Sequence, residues 1–152
     1  MSRVKCFLLT AFAVAVVGSY GPEAFAQRTC VKGTSGTTGT TTNPFALSKD
    51  QRSQLRTALP TLGSAWFDFW KTANSTLTST ELSALRQQIG AQLATLRTAT
   101  DWASYFSIWD TVYAQLSAAV TAKADATLTT KFTTLKAAYD SVKLIIVPIT
   151  VG

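Results

Sequence analysis

Apolar residues recur at steps of three and four through the last two-thirds of the chain, the period of a helix with one buried face. In the first such stretch Leu55, Leu59, Leu62, Trp66 and Phe69 are separated by four, three, four and three residues. Ser48 precedes it and Gln51 follows three positions later, the spacing of a capping box. The pattern predicts a helix over 49–73. Pro60 lies inside this run. A proline removes one backbone donor and crowds the preceding turn, so the helix is expected to kink at Pro60 or to split there.

Three more stretches have the same period. Leu82, Leu85, Ile89, Leu93 and Leu96 form a stripe behind Thr78 or Ser79 as cap, with Glu81 at capping-box distance from Thr78. Gly90 lies off that stripe, at some cost in helix propensity. Residues 101–113 read DWASYFSIWDTVY, five of them aromatic. From Trp102 to Val120 the apolar positions of this third stretch fill an arc of roughly 120°. Thr100 is a candidate cap, and Asp101 suits the positive end of the helix. The fourth stripe is Leu128, Phe132, Leu135, Tyr139, Val142 and Ile146, with Asp125 or Thr127 as cap and Pro148 as stop. Residues 74–80 are expected to be a loop, and 122–127 a break. The tail beyond 146 is β-branched and predicted to be extended. Amphipathic helices joined by short loops give an all-α fold, an antiparallel four-helix bundle with helix one kinked or split at Pro60.

The N-terminal part follows other rules. Arg3 and Lys5 precede the apolar run Cys6–Val17, and Ala24-Phe25-Ala26 has the small-x-small form of a cleavage site. Residues 1–26 are therefore expected to be a secretory signal peptide, and the run is short for a membrane span. No second apolar run is long enough to span a bilayer, so no transmembrane segment is expected once the signal is removed. Residues 27–46 are rich in Thr, Gly and Ser, too poor in apolar surface to offset their ordering entropy. They are expected to be a flexible arm, open to O-glycosylation, before a bundle domain over 47–152. The localisation follows: secreted, extracellular or, in a bacterium, periplasmic.

Charge and cysteine content narrow the partners. The chain carries a net charge of +6, which falls to +5 without Arg3, Lys5 and Glu23. Its cations are scattered, unlike the concentrated basic face of a nucleic-acid protein, so no nucleic-acid partner is expected. Arg52 and Arg56 share a helix face, and weak attraction to an anionic surface is compatible with the charge. One cysteine survives removal of the signal, which excludes a disulfide framework. Cys30 can instead link two copies of the chain as a homodimer. Asn74-Ser75-Thr76 is an N-glycosylation sequon.

Candidate chemistry is sparse. The sequence has no histidine, which removes the commonest general base and zinc ligand. One mature cysteine cannot close a zinc site, and no calcium-loop spacing occurs. The carboxylates fall mostly at helix starts, and no serine or threonine has a motif that would supply a base. The glycines of 33–39 lack the Lys-Ser/Thr ending of a phosphate loop. No enzyme activity and no cofactor is expected.

What stands out is aromatic. Trp66, Phe69 and Trp70 on helix one and Trp102, Tyr105, Phe106, Trp109 and Tyr113 on helix three present wide aromatic faces. Such faces make a good core. They can also leave a cleft for an apolar small molecule between helices, with indole and phenol groups orienting it. Phe67 and Trp70 offer a further alternative, a partner surface on the outside of helix one. The sequence thus points to a secreted, non-enzymatic helical protein that binds a hydrophobic small molecule. Its rival is a structural or surface-interaction protein with a glycosylated Thr-rich arm and no such ligand.

Overall fold

The structure is a computed structural model that describes residues 44–147. The segment expected to be a signal peptide, most of the expected arm, Cys30 and the tail from 148 lie outside the described residues. Four α-helices make up the described chain: α1 (Lys49–Thr76), α2 (Ser79–Thr95), α3 (Trp102–Lys123) and α4 (Ala126–Ile146), with a 3₁₀ turn at Leu96–Thr98 after α2. There is no strand among the described residues.

Each helix starts where a side chain satisfies its free N–H groups. Ser48 accepts from the Gln51 N–H while the Gln51 amide oxygen accepts from the Ser48 N–H. Thr78 and Glu81 do the same for α2. At α3 the cap is Asp101, not Thr100, and Ser104 returns the bond. Both its partners reach the backbone there, whereas Thr100 lies one residue too early. Asp125 caps α4 by accepting from the Leu128 N–H. The turn before it is made by Ala124, which adopts the left-handed conformation at φ 52° and ends α3.

Helix α1 is a single helix: it runs unbroken through Pro60, so the two-helix alternative does not hold. Pro60 is exposed, and its missing donor falls on the solvent side, where water can serve the freed carbonyl. The helix also outlasts its expected end. Asn74, Ser75 and Thr76 form its last turn, leaving only Leu77 and Thr78 as linker. Ala73 and Leu77 are buried, which anchors this extra turn against the bundle despite its poor intrinsic propensity.

The helices pack in sequence around the bundle. Close backbone approach joins α1 to α4, α3 to α4, and α2 to α3. The α1–α4 pair is antiparallel. At one end the Gln51 amide donates to the Ile145 and Ile146 carbonyls at 2.8 and 3.2 Å. At the other Lys131 reaches Asp68 at 3.3 Å and Phe69 meets Phe132. Gln51 thus caps the start of α1 and ties down the last carbonyls of α4, which have no partner of their own. The core follows the expected stripes, with Leu59 of α1, Trp102 of α3 and Phe132 of α4 only half-buried. Leu55, Leu62, Trp66 and Phe69 of α1, Leu128, Leu135, Tyr139 and Val142 of α4, and Tyr105, Phe106, Trp109 and Tyr113 of α3 are all buried. Each such side chain contributes about 1.5–3 kcal/mol of burial. The α2 stripe is thinner: Leu85 and Ile89 are buried, while Leu82, Leu93 and Leu96 are half-exposed.

Candidate functional site

The structure brings the eight aromatic candidates together in a network that runs along the bundle. Trp66 stands at its centre, edge-on to Trp109 and Trp70 at 6.0 Å and to Tyr113 at 6.3 Å between ring centroids. Phe69 touches Trp70 at 5.6 Å. Trp102, Tyr105 and Phe106 form a second group at the start of α3. Phe45, just before α1, packs edge-on against Trp102 at 5.2 Å, so the end of the arm belongs to this group. Tyr139 joins the two groups, stacked on Tyr113 at 4.1 Å and tilted against Phe106 at 6.1 Å. Edge-to-face contacts at these distances are those of a packed aromatic core.

Tyr139 was legible as core but not as the hub it is. Its hydroxyl donates to Asp110 at 2.8 Å and to the Phe106 carbonyl at 3.3 Å. Asp110 is held in turn by Lys143 at 2.6 Å. Burial raises the Tyr139 pKa above the usual phenol value, and the bond to Asp110 and that carboxylate's charge add to the effect. Burial also raises Tyr113, with a smaller push from Asp140. Tyr105 is raised by burial and partly relieved by the Trp109 indole one turn away. All three are neutral phenols at physiological pH. The indole N–H groups of Trp66, Trp70 and Trp102 and the Tyr113 hydroxyl are buried with no hydrogen-bond partner among the described residues.

An open groove of about 400 Å³ lies elsewhere, between α1 and α4, lined by Gln54, Thr57, Ala58, Thr61, Ala138 and Ser141. It touches none of the aromatic candidates. Small hydroxyl and methyl groups give it no charged or aromatic anchor.

The outer side of α1 is different. Phe67 is 68% exposed, the largest exposure among the big apolar side chains described, while its neighbour Trp70 is half-buried. At 100° per residue Lys49, Arg52, Arg56, Phe67 and Lys71 fall within one strip about 100° wide. All five are exposed. The acids of α1, Asp50 and Asp68, fall outside that strip, and Asp68 pairs with Lys131 of α4. The four ion pairs among the described residues use Lys123, Lys131, Lys136 and Lys143, all from α3 and α4. None of the strip cations makes an ion pair with a described residue. Asn74, the sequon residue, continues the strip in the last turn of α1 rather than in a loop, and its side-chain oxygen accepts from Arg86 of α2 at 2.9 Å.

The described residues contain no cluster of acidic or sulfur ligands able to hold a metal. No described helix is long and apolar enough to cross a membrane. Comparison with protein-family models, with curated proteins and with solved structures finds no match to this chain.

Proposed function

We propose that this is a secreted, non-enzymatic interaction protein that meets its partner through the outer strip of α1. The observation that carries this reading is the exposed Phe67 set among cations that no described carboxylate neutralises. A single exposed phenylalanine is ordinary on its own; what favours a partner surface is its place on the same strip as cations left without ion pairs among the described residues. The α3–α4 half, by contrast, spends its lysines on ion pairs within the bundle.

The test is retention of the purified protein on the extracellular material of its own source. Wild-type chain is expected to be retained, and Phe67→Ser combined with Arg56→Gln to be released, with an unchanged melting temperature. Equal retention of both would remove the strip from the function.

A second reading has its own support. Binding of a small apolar molecule among Trp66, Trp70, Trp102 and Trp109 would give a partner to the buried Trp66, Trp70 and Trp102 indoles and the Tyr113 phenol. Each such group costs about 1–3 kcal/mol unless satisfied. A ligand of this kind needs a hydrogen-bond acceptor as well as apolar bulk, and the packed rings must part to admit it. Titration with fatty acids and retinoids should then change tryptophan fluorescence saturably and raise the melting temperature together. A flat response in both leaves the aromatic network as core.

A further inference from the structure

We infer that the partner of the α1 strip is an anionic lipid surface, on which the chain lies with α1 against the headgroups. The inference rests on the interaction reading above and names what that surface touches. Charge gives the sign of the partner. Lys49, Arg52, Arg56, Lys71, Arg86 and Arg97 face only Asp50, Asp68 and Glu81 in the α1–α2 half, while four cations and four carboxylates balance in the α3–α4 half. The excess is positive and lies to one side.

The arrangement of the cations gives the shape. Lys49 to Lys71 spans about 33 Å of helix at 1.5 Å per residue. Cations strung along a convex helix do not converge on one anion, so a single phosphate or carboxylate finds no pocket there. They do match a plane of distributed negative charge. Phe67 decides between a lipid plane and a dissolved polyanion. A soluble polyanion leaves a projecting phenyl ring in water, whereas the boundary between headgroups and acyl chains buries it. Lys71 stands one turn beyond Phe67 on the strip and Arg56 three turns before it, and their long stems allow the charges to stay with the headgroups while the ring inserts.

The relative lengths of the helices keep this face free. α2 has 17 residues against 28 in α1. It runs back from the Thr76 end, where Asn74 and Arg86 meet, and is about 16 Å too short to reach the start of α1 at 1.5 Å per residue. Around Phe67 the neighbouring helix also does not close in: a methyl group added at Gly63, one turn before Phe67, would meet nothing within 4 Å.

Vesicle co-sedimentation tests this, using the secreted chain with its N-terminus fixed by intact mass. The vesicles are phosphatidylcholine alone or with about one-third phosphatidylglycerol. Wild-type protein is expected to partition onto the anionic vesicles, to stay free of the neutral ones, and to be released by half-molar salt. Arg52→Gln with Arg56→Gln should lower the partition coefficient about thirtyfold, near fivefold for each cation removed. Phe67→Ser should lower it about tenfold and abolish any blue shift of tryptophan emission. The control is Thr133→Glu with Ala137→Glu, which makes the same charge change on the exposed face of α4. It is expected to bind within about twofold of wild type.

Equal loss in the control and the arginine variant would reduce the effect to net charge and overturn the assignment. So would binding to heparin that is insensitive to Phe67→Ser, without vesicle binding. Failure on vesicles with strip-dependent retention on source material would sink the lipid partner and leave the interaction reading standing. Failure of both would remove both.

Discussion

The seam between α3 and α4 and the seam between α1 and α2 are finished differently. In the first, Tyr113 stacks on Tyr139, the Tyr139 hydroxyl finds Asp110, and Lys143 closes on the same carboxylate. Ring contact, hydrogen bond and charge follow one another from core to surface. In the second, the helices make little close backbone approach although only two residues join them. One side-chain bond, from Arg86 to Asn74, bridges them. Gly63 of α1 presents bare backbone with nothing close to it, and the Trp70 indole N–H is left without a partner. A seam that satisfies its own groups holds the fold together. A seam that leaves cations, an aromatic ring and polar edges unspent is where a partner can add free energy.

The largest expected effect tests whether both seams share one core. Trp109 is 1% exposed and touches Trp66 and Tyr113, linking α1 to α3. Trp109→Ala should destabilise the protein by about 3–5 kcal/mol in denaturant unfolding, with no change in the slope of the transition. A loss under about 1 kcal/mol would mean that the halves are stabilised separately.

Tyr139→Phe targets the closed seam alone. It removes the bonds to Asp110 and to the Phe106 carbonyl but keeps the ring stack, so a loss of about 1–2 kcal/mol is expected. The pH dependence has a definite sign. Tyr105, Tyr113 and Tyr139 all have folded-state pKa values raised above the unfolded value near 10. Their contribution is whole below pH 10 and is lost as pH rises beyond it, because only the unfolded chain can then release those protons. Phenolate absorbance at 295 nm should therefore appear together with the loss of helical circular dichroism in an alkaline titration. Full ionisation of all tyrosines while the helices persist would contradict the burial described for this seam.

The caps divide the same way. Hydroxyls start α1 and α2, carboxylates start α3 and α4. Ser48→Ala should cost about 1 kcal/mol at any pH. Asp101 behaves otherwise: the Ser104 N–H and hydroxyl hold its pKa below the usual range. Glu81 is lowered likewise, by the Thr78 N–H first. Stability from both is present above their unfolded values near pH 4 and disappears as pH falls through the lower folded ones. Asp101→Asn, which keeps an acceptor but cannot titrate, should flatten part of the decline in urea midpoint between pH 5 and pH 2.

These contrasts were only partly legible in the sequence. Periodicity located four helices because each buries one face, the capping box at Ser48 announced the first start to the residue, and the one at Thr78 announced the second to within one. The exposure of Phe67 was also readable, since it stands off the stripe that Trp66 and Phe69 share. Asn74 to Thr76 were not, because local propensity favours a loop there and buried Ala73 and Leu77 override it. Nor was the imbalance between the seams. A helical wheel gives the direction of each face but not which neighbour approaches it, and Tyr139 became a hub only through Asp110, twenty-nine residues away.

The smallest effects come from exchanging glycine and alanine, once in each half. Gly90 sits inside α2, and a methyl group added there would meet nothing within 4 Å. Its backbone is helical, so Gly90→Ala should stabilise by about 0.5–1 kcal/mol through helix propensity alone. Close packing around Gly90 would turn that gain into a loss. At the α3–α4 turn the favoured exchange is the reverse. Ala124 holds a left-handed conformation at φ 52°, which strains any side chain with a Cβ and suits glycine. Ala124→Gly should therefore also stabilise, by about 0.5–1 kcal/mol, less the entropy that glycine adds to the unfolded chain. The two variants lie in different elements and should be additive to within about 0.5 kcal/mol. Destabilisation by Gly90→Ala beside a gain from Ala124→Gly would show that the surroundings of α2 are more closely packed than the open space at Gly90 indicates.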